Sequence, residues 1–276
     1  MRDRSSSTTT VPTPGAGRRT ARRWGATLAG ILLALTASVT AAPTAVADGP
    51  GTAGEAERVG RAGAAGKAGK AGKGGHPGGR DLPPVVFVHG FTGDPSNWAT
   101  AMDSFEAAGW DRDRLFALRY DWSASNRESA RDLADLVAEV RRTTGARRVA
   151  VVNHSMGGLV TQWYVKKLGG HRHVGHVVSL AGAHHGTTRA ADCLPLVPCA
   201  EMIPGSPFLR ALARGDETPG ATRYGTWYSP CDGVIVPHDS TRLRGALNRE
   251  LPCVDHIAFL TDPGVMAEIQ RFVRRG

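Results

Sequence analysis

Arg148-Val149-Ala150-Val151-Val152-Asn153-His154-Ser155-Met156-Gly157-Gly158 runs from an unbroken apolar stretch, through a corner of small and polar residues, into an apolar segment that continues to Lys167. The spacing predicts a strand over 148–152 and a helix over 156–167 with a turn of very few residues between them. Such a turn lifts a serine hydroxyl clear of a sheet and sets it at a helix N-terminus, the arrangement of a nucleophile elbow. Gly157 and Gly158 let the corner close. Asn153 stands where the G-x-S-x-G pattern has its first glycine; asparagine tolerates unusual backbone angles but brings a side chain into a tight place. The competing reading of Ser155 is a plain helix cap, since serine is a favoured residue there.

Outward from this stretch, strand and helix patterns take turns. Strands are expected at Pro84 to Val88, Leu115 to Tyr120, Val174 to Leu180 and Arg223 to Tyr228. Helices are expected at Asn97 to Ala108, Arg127 to Arg142 and Pro263 to Arg274. The strands are continuous rather than alternating in polarity, so the fold class is α/β, a mostly parallel central sheet with helices on both faces. Sites in such sheets lie beyond the carboxyl ends of the strands. Residues 81–276 are enough for one domain with a substantial core.

After the first of these strands comes His89-Gly90-Phe91-Thr92-Gly93, a Gly-rich turn that can aim a backbone N–H at the serine. Phe91 is the expected loop donor of an oxyanion hole, and the N–H of Met156 the second. His89 reads as a buried residue that steadies the loop. A serine at neutral pH needs a base, and the base needs an acid to fix its tautomer, in the chain order Ser, acid, His. Of ten histidines, His256 alone follows a strand-like stretch near the end of the domain and precedes the last helix. Asp232 is the best-placed acid, with Asp239 and Asp255 as rivals.

The four cysteines allow three connectivities, and their spacing does not suit a zinc quartet. A bond between Cys231 and Cys253 would staple the loop of Asp232 to that of His256, leaving Cys193 and Cys199 to close a small loop. The alternative is stapling with no bearing on chemistry.

Together, Val88-His89-Gly90-Phe91, His154 to Gly158, Cys231-Asp232-Gly233-Val234-Ile235-Val236-Pro237 and Val254-Asp255-His256-Ile257 resemble the compact secreted bacterial lipases and esterases of the α/β-hydrolase superfamily. The resemblance covers nearly all of 81–276. It implies hydrolysis of acylglycerols or similar carboxylic esters, with a triacylglycerol lipase foremost, through an acyl-enzyme. Its triad would be Ser155, Asp232 and His256, with no cofactor and no metal. Asn153 departs from that pattern, and so does the length of 183–221. In that stretch Leu194-Pro195-Leu196-Val197-Pro198 reads either as a small lid or acyl-binding flap or as a packed insertion. A cutinase-like polyester hydrolase or an acyltransferase would use the same triad. A catalytically silent surface-binding protein is the alternative from another class. His171-Arg172-His173 with His176 reads as exposed loop histidines rather than a metal site, and His184-His185-Gly186 as architecture shaping a pocket wall.

The chain has 276 residues and a net charge of +9, of which 1–47 carry +5, 48–80 carry +3 and 81–276 only +1. A groove for nucleic acid needs its basic residues on the folded domain, so that class is excluded. Arg18, Arg19, Arg22 and Arg23, then an uncharged run from Trp24 to Val46 and Ala45-Val46-Ala47, give the three regions of a secretory signal peptide over 1–47. The general route is preferred to the twin-arginine one, and cleavage to an uncleaved anchor. Residues 48–80, with Ala-Gly-Lys repeated to Lys73, read as a flexible linker or propeptide, or as a weak tether to anionic surfaces. The expectation is a monomer, secreted to the extracellular space, with no membrane segment after cleavage and a substrate met at a lipid–water interface.

Overall fold

Val85–Val88 (β1) is four apolar residues long and wholly buried, with no polar alternate position. Such a strand must be covered on both faces and paired on both edges. Its neighbours are Leu115–Ala117 (β2) on one side and Val149–His154 (β3) on the other, both parallel to it. The computed structural model describes residues 81–275; the readings for 1–47 and 48–80 lie outside the described residues. Val174–Leu180 (β4), Arg223–Tyr228 (β5) and Leu247–Glu250 (β6) extend the sheet in the order β2-β1-β3-β4-β5-β6, and every pairing is parallel.

The chain steps from β1 to β2 in one direction and then returns past β1 to β3. Right-handed crossovers therefore put the intervening helices on opposite faces. Ala99–Ala107 (α1) packs against Pro263–Arg274 (α6), whereas Asn126–Thr144 (α2) packs against Gly157–Lys167 (α3). The crevice where the direction reverses lies between the carboxyl ends of β1 and β3, which is where ligands bind in open α/β sheets.

The helices begin and end where their chemistry dictates. In α2 the Ser125 side chain accepts the N–H of Arg127, the buried stripe is Ala130, Leu133, Val137 and Val140, and Gly145 at φ +70° ends the helix. Asp262 caps α6 at the N–H of Val265, with Pro263 in the first turn and Val265, Met266, Ile269, Phe272 and Val273 facing inward.

The expected elements are present with shifted ends. The helix expected from Asn97 starts at Ala99, because Asp94 caps a 3₁₀ turn over Pro95–Trp98 that takes up the preceding residues. The strand expected to reach Tyr120 stops at Ala117, where β1, its partner, also runs out. The sequence shows no apolar run at β6, since Leu-Asn-Arg-Glu forms a mostly exposed edge paired only with β5. Residues 183–221 include two short helices, Val197–Met202 (α4) and Pro207–Ala213 (α5), and Leu194, Leu196 and Val197 at the start of the first are exposed. Buried Glu201 fastens it to the start of α2, accepting from the Ser125 hydroxyl at 2.6 Å, the Asn126 N–H at 2.8 Å and side chain at 2.9 Å, and Arg127 at 3.1 Å.

The reading of His171, His173 and His176 as exposed loop residues is corrected. His171 and His173 are half-buried, and His176 is a buried residue of β4 against Phe272, ring centroids 5.7 Å apart. Among the described residues no helix is long and apolar enough to cross a membrane.

Phe105 of α1 is fully buried between Phe87, at 5.4 Å between ring centroids, and Trp110, at 4.8 Å. Phe105→Ala removes the shared member of this stack, and a loss of about 3–5 kcal/mol is expected. The shift in the urea unfolding midpoint measures it.

Candidate active site

The apolar strand β3 ends in a corner so tight that Ser155 adopts φ +57°, in the left-handed region that residues with a side chain rarely enter. Hydrogen bonds hold it there. The Ser155 N–H donates to Leu180 at 3.1 Å, and its carbonyl accepts from Gly158 at 2.9 Å and Ala183 at 3.1 Å. The corner also presses against the end of β1. A methyl group on Gly157 would lie 2.5 Å from the His89 carbonyl oxygen, and one on Gly90 would lie 2.8 Å from the Ser155 Cβ, so glycine alone fits at both positions.

The loop after β1 is braced from behind. His89 is buried, stacks on Tyr120 at 4.1 Å and makes a 3.0 Å bond to the Gly90 carbonyl, and the Tyr120 hydroxyl donates to the His89 carbonyl at 2.7 Å. Burial lowers the His89 pKa and keeps the ring neutral. It is a loop-bracing residue, as its place in the sequence suggests. Phe91 packs edge-on against Trp122 at 5.0 Å. Among the described residues no protein acceptor takes the N–H of Phe91 or that of Met156.

Asp232 and His256 arrive from the far side of the sheet. Asp232 follows β5, and its Oδ1 accepts the N–H groups of Val234 at 2.8 Å and Ile235 at 2.9 Å. Its Oδ2 meets His256 Nδ1 at 2.9 Å. Burial pushes the carboxyl pKa up, but the bond to His256 and the two N–H groups outweigh it and hold the carboxyl below its usual value. An ionised Oδ2 can only accept, so His256 Nδ1 carries the proton, and neutral imidazole then presents Nε2 as an acceptor. The rivals Asp239 and Asp255 are exposed, and neither bonds to His256.

Two residues that the sequence did not single out tie these loops down. Ser229 ends the β5 segment fully buried, and its hydroxyl oxygen accepts the N–H of Cys231 at 3.1 Å and of Val254 at 2.8 Å, so one atom bridges the loop of Asp232 and the loop of His256. His154, beside the serine, donates from Nε2 to the His256 carbonyl at 2.8 Å, and the two rings lie 4.5 Å apart. Burial and the neighbouring His256 push the His154 pKa down to about 3, so it stays neutral. The disulfides pair Cys231 with Cys253 and Cys193 with Cys199. The first joins the loops of Asp232 and His256 covalently.

Ser155 and His256 line one cavity of about 340 Å³ together with Gly90, Phe91, Val234, Ile257 and Leu260. His184 and His185 do not line it, and form part of a separate cavity. Asn153 is accommodated by a buried chain: the Ser179 hydroxyl donates to Asn153 Oδ1 at 2.7 Å, and His184 Nε2 meets Ser179 Oγ at 2.8 Å. Among the described residues no group of three His, Cys, Asp or Glu side chains is gathered as a metal site would require.

The fold has many counterparts among solved structures. A Bacillus licheniformis lipase, BlEst2, in its mature form superposes with a TM-score of 0.62 at 20% identity, covering 73% of this chain and 94% of that one. Aspergillus fumigatus lipase B gives 0.62 at 18% identity over 71% of this chain and 53% of that one. The phospholipase PlaB of Legionella pneumophila gives 0.55 at 16% identity over 69% and 59%. This is an α/β-hydrolase fold. The model of the lecithin:cholesterol acyltransferase family matches residues 89–196, a span that takes in Phe91, Ser155 and Met156 and stops short of Asp232 and His256. In this hydrolase fold the loops after β1, β3 and β5, and the one that follows β6, converge on a single mouth.

The depressed Asp232 pKa links stability to pH. The ionised carboxylate stabilises the folded state above the unfolded pKa, and that stability is lost as pH falls through the lower folded value. Asp232→Asn removes this part of the acid dependence. The slope of unfolding free energy against pH, followed by urea titration below about pH 5, is expected to be shallower than in the parent chain.

Proposed function

We propose that the chain is a serine carboxylic ester hydrolase and, within that class, a triacylglycerol lipase exported from the cell. The observation that carries the reading is the hydrogen bond between an ionised, buried Asp232 and His256 Nδ1, which turns His256 Nε2 into an acceptor on the same cavity wall as Ser155. A base in that tautomer takes the proton of Ser155 as Oγ attacks the ester carbonyl. The N–H groups of Phe91 and Met156 stabilise the oxyanion. His256 returns the proton to the departing alcohol, and water, activated by the same nitrogen, releases the acid from the acyl-enzyme.

The apolar part of the mouth, Phe91, Val234, Ile257 and Leu260, supports an acyl substrate over a charged one. Two disulfides suit an oxidising compartment and agree with the export reading of 1–47. A second reading, acyl transfer to an alcohol, draws on the acyltransferase family match over 89–196. It uses the same acyl-enzyme and differs only in what attacks it.

Ser155→Ala is expected to abolish hydrolysis of p-nitrophenyl butyrate by the pure protein; activity at the parent level would refute the proposal. Asp232→Asn is expected to lower kcat by something like 10⁴ with little change in KM, because the base is then held in the wrong tautomer. Tributyrin and trioleoylglycerol, each with and without added glycerol as acceptor, separate lipase from acyltransferase by the ratio of free acid to transferred ester.

A further inference from the structure

A second cavity, of about 200 Å³, is lined by residues of α3, α5 and the loops after β4 and β5, and it shares no lining residue with the one that holds Ser155. Leu209, Leu212, Ala213 and Leu243 supply its apolar wall. Lys166, in the last turn of α3, borders it half-buried, and its ammonium makes no ion pair and no hydrogen bond among the described residues. Burial and the neighbouring Lys167 push its pKa down against the pull of Glu217 and Asp216. A charge drawn partly out of water without a partner is unfavourable, and an anion beside it removes the penalty.

The other polar groups of the wall are engaged. Glu217 Oε1 meets His185 Nε2 at 3.3 Å, and its Oε2 accepts the Arg244 N–H at 2.6 Å. His185 Nδ1 donates to the Ser240 carbonyl at 3.0 Å, and the exposed Arg210 donates through Nη1 to the Gly205 carbonyl. The unpartnered amide atoms of Gln162 and Nδ1 of His184 have almost no accessible surface, so they lie behind the wall and meet nothing inside it. Counting Lys166, Arg210 and Glu217, the wall carries one uncompensated positive charge.

That charge and the three leucines narrow the ligand together. A cation would meet the ammonium, and a neutral alcohol would leave it uncompensated. Inorganic phosphate would supply charge but nothing to cover the leucines. A monoanion with an apolar chain answers both, and a chain of about five carbons suits the volume, since a dry cavity of about 150 Å³ accepts benzene.

We propose that this cavity binds a small aliphatic carboxylate, its oxygens accepting from Lys166 Nζ and its chain lying against Leu209, Leu212 and Leu243. The assignment stands or falls separately from the ester-hydrolase reading, under which the acid released at Ser155 belongs to the same chemical class.

Isothermal titration of the full chain with pentanoate, 1-pentanol and pentylammonium tests it. The three share a chain and differ in the charge of the head. Saturable binding of pentanoate, about tenfold tighter than that of 1-pentanol, is expected, with none of pentylammonium. Lys166→Met should weaken pentanoate about tenfold and leave 1-pentanol unchanged, a difference that a general loosening of the fold would not produce. Ala213→Phe, which fills the cavity, should abolish pentanoate binding with the far-UV spectrum unchanged. Three results would overturn the proposal: no saturable binding of pentanoate to the parent chain, equal affinity for 1-pentanol, or pentanoate binding that survives Ala213→Phe and disappears in Ile257→Trp. The last would place the carboxylate beside Ser155. Should Lys166→Met fail to fold, the comparison of ligands on the parent chain still decides.

Discussion

The ends of β1 and β3 touch, and the site depends on that contact. Gly157 meets the carbonyl of His89 and Gly90 meets the Cβ of Ser155 at distances that no added carbon could occupy. This closeness brings the turn after β1 beside the serine. It also sets the two unbonded N–H groups, from Phe91 and Met156, on adjoining segments. The left-handed conformation of Ser155 costs on the order of 1–3 kcal/mol, and it persists because β4 and the loop beyond it hold both faces of that peptide.

On the other side of the mouth the constraint is electrostatic. A buried carboxylate is unfavourable unless its lone pairs are filled, and Asp232 receives two backbone N–H groups on one oxygen and His256 on the other. The histidine is held in turn at its carbonyl by His154, the residue before the serine, so the turn that carries Ser155 also positions His256. The two halves of the site are thus cross-braced without any atom of the bracing residues needing to take part in chemistry.

Much of this was legible in the chain because it follows from local pattern. The apolar run of β3, the two glycines and the following helix define the elbow by themselves, and the Gly-rich turn after β1 is equally local. The choice among Asp232, Asp239 and Asp255 was a different matter. All three lie near His256 in sequence, and only the loop geometry that fills both oxygens of Asp232 separates them. Strand β6 was hidden because an exposed edge needs no apolar residues. The bonds of Ser229 to Val254 and of Ser179 to Asn153 were hidden because a buried hydrogen bond between residues about 25 positions apart leaves no periodic trace. Asn153, which looked like a blemish in the motif, is explained by Ser179 opposite it on β4.

The edge position of β6 carries a consequence for motion. Its backbone is paired on one side only, so it belongs among the parts of the sheet that open most readily and exchange their amide hydrogens first. The loop bearing His256 comes directly after it and would inherit that looseness if the sheet were its sole support. It is instead anchored to the interior strand β5 through the Ser229 hydroxyl and the Cys231–Cys253 bond, both of which bypass β6. The border of the sheet can therefore fray without displacing His256.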